Sequence, residues 1–463
     1  MPAGWLGVAP VKLVIAITVG LRHKDLHQFS SLAPIIEQGS VSALTPPLPA
    51  VTCSTQAAFL TGKEATSHGI VGNGWFHRET REVRFWLQPR DLIETPTFID
   101  RIRQQGLTVA NLFWWFNMGS GADWSLTPRP EYPADGRKIP SVYGEPPELP
   151  VEMQRDLGRF PLFDFWGPRA GLPSTRWIID SAISMIEQKD PDVLMVYLPH
   201  LDYNDQRYGA DSPEGQLSRQ QLDAELKRLL DASRSRGADS MVLSEYGVED
   251  VTRVVFPNRR LAQSGDLQVQ STGHGDLLDV HRSRAFAVCD HQLAHVHISA
   301  NADAAAVQDR LQRLEGVERV LSGEQLTEVG LGHRRAGDLV LLAEPGCWFA
   351  YPWWHDEARA PDYARTVDIH RKPGYDPAEL FVDPALRWPA LKIGWRLLQK
   401  KLGMRTLLDV ISTDPSMVRG SHGRLPSRPE LGPVVVRSWP HPEKSIHAVD
   451  VYDEILERLR EGR

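Results

Sequence analysis

The sequence predicts an α/β fold built on a central, mostly parallel sheet. Three observations point to it. Short β-branched apolar runs alternate with longer stretches of helical periodicity through the first half of the chain. The runs are apolar throughout, as strands buried on both faces must be. The 463 residues, 41% hydrophobic and 24% charged, supply enough apolar material for a sizeable globular core.

The elements follow in order. Residues 13–19 read as the first strand, closed by Gly20. Residues 25–38 place Leu26, Phe29, Leu32 and Ile35/Ile36 at helical spacing, and Gly39 ends them. Helix 98–105 leads into strand 107–113, helix 177–188 into strand 193–198, and the long amphipathic helix 217–235 into strand 240–244. Residues 119–173, rich in Pro, Gly and aromatics, read as an irregular insertion near the ligand edge of the sheet. Residues 284–343 read as a compact unit with strands 285–288, 295–299 and 339–342 and a helix 304–314. Residues 345–403 are irregular and aromatic again. Helix 451–460 closes the chain with Val451, Ile455 and Leu459 on one face. The expected organisation is one domain over 1–463, with insertions at about 119–173 and 345–403 capping the site.

A net charge of −7 lacks the basic footprint of a nucleic-acid-binding protein. Cys53, Cys289 and Cys347 form no CxxC pair, which fits a reducing compartment. Residues 13–19 are too short to span a bilayer, and no signal-peptide pattern stands out. The expectation is a cytoplasmic protein with neither a nucleic-acid nor a membrane partner. Nothing in the chain indicates its oligomeric state.

Open α/β sheets bind ligands at the carboxyl ends of their strands, so the polar residues there matter most. Thr52 follows Pro49-Ala50-Val51 and opens a small-residue helix that closes on Thr61-Gly62; Ser67-His68-Gly69-Ile70 comes next. A hydroxyl at such a strand-to-helix transition sits against a helix N-terminus, where an anion is favoured, and this is one way to build a phosphate-attacking nucleophile. The ordinary alternative is an N-cap. Asp202 follows strand 193–198, Glu245 follows strand 240–244, and His422 sits in Gly420-Ser421-His422-Gly423. Together these groups suit one or two divalent ions that would activate the hydroxyl and neutralise phosphoryl charge. Singly, each reads as a cap or a turn residue.

The segment 49–74, with 14–21, 193–209, 241–247 and 418–423 in the same order, resembles the nucleotide pyrophosphatase/phosphodiesterase branch of the alkaline phosphatase superfamily. The resemblance implies an alkaline-phosphatase-like three-layer sandwich. It implies a metal-dependent phosphoric ester hydrolase acting on a small phosphodiester or pyrophosphate. It also implies Thr52 as nucleophile and Thr55 at the position of the family's phosphate-contacting Asn. At the family's metal-ligand positions Asp202 and His422 stand, and Glu245 replaces an Asp. Val19, Gln206 and Tyr246 stand where the family has Asp, His and His. Zinc prefers His, Cys and carboxylate donors, and Val cannot ligate. The expectations are therefore a set rebuilt for zinc or a harder ion such as Mg²⁺ or Mn²⁺, with Asp368, His370, Asp290 and His291 as replacement ligands, or an altered protein that binds rather than hydrolyses. Arg22, Arg137-Lys138 and Arg371-Lys372 read mainly as surface charge. Trp114, Trp115, Trp166, Trp353 and Trp354 read either as core or as a stacking wall. The run after Cys53 lacks the Cys-x-Pro/Ala-x-Arg pattern of a sulfatase, which excludes that chemistry.

Overall fold

A computed structural model of the protein describes residues 12–134, 138–402, 404 and 406–461; Arg137 lies outside them. The expected alternation produces a nine-stranded sheet. Its strands, with those of a second sheet, are β1 (Leu13–Thr18), β2 (Ser40–Thr45), β3 (Val109–Leu112), β4 (Trp124–Pro128), β5 (Val142–Glu145), β6 (Val193–Leu198), β7 (Asp239–Leu243), β8 (Ala285–Asp290), β9 (Leu293–Ile298), β10 (Val317–Ser322), β11 (Leu339–Ala343), β12 (Val434–Arg437) and β13 (Ser445–His447). The main sheet runs β13-β2-β12-β7-β1-β6-β3-β4-β5. Strands β7, β1, β6, β3 and β4 are mutually parallel, in the register Leu13↔Val193 and Leu13↔Asp239 around β1. Every residue of β1 and β6 is buried. That is why these strands read as unbroken apolar runs, and each Val, Leu or Ile so buried stabilises by roughly 1.5–3 kcal/mol.

The main helices are α1 (Thr52–Thr61), α2 (Leu172–Gln188), α3 (His200–Tyr208), α4 (Pro213–Ser235), α5 (Pro389–Lys401) and α6 (Asp450–Glu461). Helix α2 packs on α4 and on β6, while α1 packs on α6 and on the helix Phe98–Gln104. A Thr97/Asp100 capping box starts that last helix. The second sheet, β8-β9-β11-β10, is wholly antiparallel and carries its own apolar core with Trp353, Trp354 and Tyr375.

Several expectations need correction. Residues 25–38 are not one helix: a 3₁₀ turn His23–Gln28 and a short helix Ala33–Gln38 share them, because Pro34 suits a first helical turn and not an interior. The stretch 119–173 is not merely irregular, since it supplies β4, β5 and the helix Leu149–Leu157. Likewise 345–403 contains a short strand Cys347–Phe349 and α5. Arg22 and Lys372 are buried, not surface charges. Lys372 is paired with Asp376 and Glu379 at 2.7 and 2.8 Å. Arg22 joins Asp25, and Arg219 joins Asp25 and Asp205, in a buried ion network behind α3.

Candidate active site

Thr52 is the first helical residue of α1. The N-cap is Val51, in an extended conformation with no capping side chain, so the hydroxyl of Thr52 is not used as a cap. It lies instead 3.3 Å from the hydroxyl of Tyr246. The Ser54 hydroxyl turns back to donate to the carbonyls of Pro49 and Val51 at 2.6 and 3.1 Å. Thr55 is buried one turn deeper, its hydroxyl without a partner among the described residues.

The start of α1 is held by a residue the sequence reading missed. The Cys53 N–H donates to Asn73 Oδ1 at 3.0 Å, and Asn73 gives its backbone and side-chain N–H groups to the two oxygens of Asp290 at 2.7 and 3.1 Å. Asn73 stands in Gly72-Asn73-Gly74, where a small polar residue between glycines was the available signal. A Cβ at Gly72 would come within 2.9 Å of Asp290 Oδ2. Asp290 is thus occupied in supporting the start of α1.

Asp202 lies in the first turn of α3, and the i,i+4 spacing of a helix puts Gln206 on the same face. Gln206 Nε2 donates to Asp202 Oδ2 at 2.6 Å, Tyr375 OH donates to Gln206 Oε1 at 2.7 Å, and Tyr246 OH reaches Asp202 Oδ1 at 3.5 Å. Rings close the circuit. Tyr246 stacks on His422 with centroids 3.5 Å apart and planes 7° apart. His422 packs on His291 at 3.7 Å, and His291 on Tyr375 at 3.7 Å. His422 Nδ1 lies 2.8 Å from the Ala50 carbonyl, so Nδ1 carries its proton, and Nε2 lies 3.9 Å from Asp202 Oδ1. Burial drives His422 down to about 3 and His291 well below the usual range, so both rings are neutral. Burial also lifts the Asp202 carboxyl to about 7 and holds Glu245 well above an ordinary carboxyl. Glu245 Oε1 accepts from Gln56 Nε2 at 2.5 Å, and Gln56 Oε1 accepts the Trp115 N–H at 2.6 Å.

The remaining expected ligands lie elsewhere. Asp368 pairs with Arg371 at 3.2 Å. His370 places Nδ1 3.2 Å from the Phe85 carbonyl and lines the cleft. Val19 is buried and apolar. Among the described residues, no group of three or more His, Cys, Asp or Glu side chains is arranged to hold a metal ion. The donor set does not fit a two-metal centre. Val19 offers no atom, and Gln206 presents its NH₂ to Asp202.

Thr52, Asp202 and Tyr246 open into a cleft enclosing about 920 Å³, its solvent-filled mouth included. Trp86, Trp115, Trp166, Phe163, Phe165 and Tyr203 give it aromatic walls, and Lys138 also lines it. The two alternatives for the tryptophans are thereby divided. Trp115 and Trp166 are wall residues; Trp114, Trp353 and Trp354 are core.

The fold is alkaline-phosphatase-like: a mostly parallel sheet with a helix-borne hydroxyl and carboxylates near its carboxyl edge. The model of the type I phosphodiesterase/nucleotide pyrophosphatase family matches residues 13–376, and the chain belongs to that family of phosphoric ester hydrolases. Members of the family are zinc-dependent. Phosphonoacetate hydrolase from Sinorhizobium meliloti 1021, in complex with phosphonoformate, is similar over 98% of this chain and 96% of its own, with TM-score 0.62 and 15% identity. An inactive form of murine ectonucleotide pyrophosphatase/phosphodiesterase 5 in complex with AMP is similar over 97% and 95%, with TM-score 0.60 and 14% identity. The human counterpart gives TM-score 0.59 and 12% identity over the same shares. No curated protein matches in sequence. No helix among the described residues is long and apolar enough to cross a membrane.

Proposed function

We propose that the chain cleaves a small phosphoric diester or pyrophosphate carrying an aromatic or apolar group, with Thr52 as nucleophile. The observation that carries this reading is the hydroxyl chain from Thr52 through Tyr246 to Asp202, with steps of 3.3 and 3.5 Å, at the floor of an aromatic cleft. Thr52 Oγ bonds to phosphorus as the bond to the leaving oxygen breaks. The Thr52 proton passes to the Tyr246 oxygen while the Tyr246 proton passes to the ionised Asp202 carboxylate, which then protonates the leaving oxygen. Water attacks the phospho-threonine, and the same relay takes its proton and restores the Thr52 hydroxyl. A carboxyl poised near 7 suits both halves, as acceptor and donor. The N-terminus of α1 favours the phosphoryl charge. The walls, Trp86 set edge-on to Trp115 at 5.4 Å, take the apolar group. Since the donor set does not fit two metals, no step runs through one.

The test is turnover of an aryl phosphodiester by wild type and Thr52→Ala. The variant is expected to lose about three orders of magnitude or more while keeping its circular dichroism; unchanged hydrolysis would sink the reading. The closed circuit of Tyr375, Gln206, Asp202, Tyr246, His422 and His291 favours a second reading, a site that binds without turnover. Calorimetric binding of an aryl phosphonate by a wild-type protein that hydrolyses no phosphoric ester would establish it.

A further inference from the structure

Helix α5, Pro389–Lys401, lies apart from the cleft chemistry and is built unlike the other surface helices. Trp388, Leu391, Trp395, Leu398 and Leu402 recur at steps of three and four, which places them on one helical stripe. That stripe is not covered. Trp388 is 71%, Leu391 70%, Trp395 58% and Leu402 68% exposed. The opposite side is the docked one: Lys392 pairs with Asp409 at 2.9 Å, Arg396 reaches the same carboxylate at 3.1 Å, and Ile393 is half-buried. Two tryptophans and three leucines facing water along one stripe form an apolar patch of the kind that monomeric proteins cover with a partner.

Charge decides which partner. Beyond Lys392 and Arg396, which pair with Asp409, the stretch from 384 to 408 carries Arg387, Lys400, Lys401 and Arg405 and no Asp or Glu. The chain as a whole carries −7, so the positive charge is local. A helix with Trp and Leu on one face, Lys and Arg beside it and no acid is matched by an anionic bilayer surface. There the rings settle at the headgroup level and the long basic chains reach lipid phosphates. A second copy of this chain is a poor match, because a two-fold contact would set one basic segment against another. A target that wraps a basic helix is also a poor match, because the Asp409 pairs hold one side of α5 against the protein and leave a single face open. We propose that α5 with Trp388 docks this enzyme onto the surface of an anionic membrane without spanning it. A search for spanning segments cannot detect such a face, which is why the sequence reading expected no membrane partner.

The test is co-flotation of the full chain with vesicles of phosphatidylcholine alone, or with about a third phosphatidylglycerol. The expected result is binding to the anionic vesicles at least about tenfold stronger than to the neutral ones, weakened by high salt. Trp388→Ala with Trp395→Ala should reduce it about tenfold again and leave turnover of a soluble ester unchanged, since neither residue lines the cleft. Lys401→Glu should weaken binding with the apolar stripe intact. No binding to either vesicle, equal binding to both, or binding indifferent to the double substitution would overturn the proposal. So would a dimer in sedimentation velocity that the double substitution dissolves while vesicle binding is absent. The vesicle-binding and sedimentation readouts do not depend on Thr52 chemistry, so the proposal stands or falls independently of that reading.

Discussion

Helix α3 carries buried carboxylates into two different surroundings. Towards the cleft, Asp202 is met by neutral partners: the Gln206 amide, the Tyr246 hydroxyl and, farther off, the His422 ring. Towards the network behind α3, Asp205 is met by Arg219 at 3.0 Å, which also binds Asp25 at 3.1 Å, and Asp25 in turn holds Arg22 at 2.7 Å. Burial raises both carboxyls, but Arg219 opposes it at Asp205, and no cation does so at Asp202. One set is held by ion pairs to Arg219 and Arg22. The other meets only neutral partners, which is the setting the proposed proton acceptor needs.

Three substitutions test that contrast. The largest effect is expected from Arg219→Met. It strands Asp205 without its guanidinium, leaves Asp25 to Arg22 alone, and should cost about 3–5 kcal/mol in urea denaturation; a loss near zero would show that this network is not the structural one. Asp202→Asn comes next. Wild-type kcat/KM should rise as pH passes through about 7, because the acceptor must be ionised and burial holds it protonated below that pH. The variant should lose about 10²-fold and show no such inflection; an inflection that persists would assign the relay to another group. The smallest effect is expected from Tyr375→Phe, which removes one neutral hydrogen bond to Gln206 and should cost about 1–2 kcal/mol in thermal denaturation. A larger loss would mean that the ring circuit is as unforgiving as the ion network.

The convergence of Asp202 and Glu245 was legible because both come shortly after β6 and β7, parallel strands that end at one edge; Thr52 instead opens α1 after the loop that follows β2, and its place was legible from the helix start rather than from a strand. The partners of those residues were not legible. His291 and Tyr375 reach His422 from other parts of the chain, and ring stacking leaves no periodic trace in sequence. Asp290 looked like a ligand because a carboxylate next to a histidine is a ligand pattern; its real role required knowing that Asn73 folds against it. Strands β4 and β5 were hidden by prolines. Pro128 ends β4, and Pro146 lies just past β5, an antiparallel edge strand, so the sheet tolerates both. The basic, Trp-rich run that became α5 was legible as aromatic but not as a helix, since Pro389 and Gly394 interrupt the pattern.

The turn between β8 and β9 consists of His291 and Gln292, with His291 at φ +59°. Asp290, at its edge, anchors Asn73; His291 stacks between His422 and Tyr375; and the Gln292 N–H donates to the His422 carbonyl at 2.9 Å. Gly423 makes room for it, since a Cβ there would lie 3.0 Å from the Gln292 nitrogen. This turn belongs to the smaller sheet, yet it braces both the helix that carries Thr52 and the ring beside Asp202. The turn is therefore one of several fastenings between the two sheets, beside the His295 contact to the Val71 carbonyl at 2.9 Å and the packing of Leu293, Leu321 and Val340 into the larger core. Loosening the four-stranded sheet would disturb the start of α1 and the His422 ring together, so heat inactivation of this enzyme would report in part on its smaller sheet.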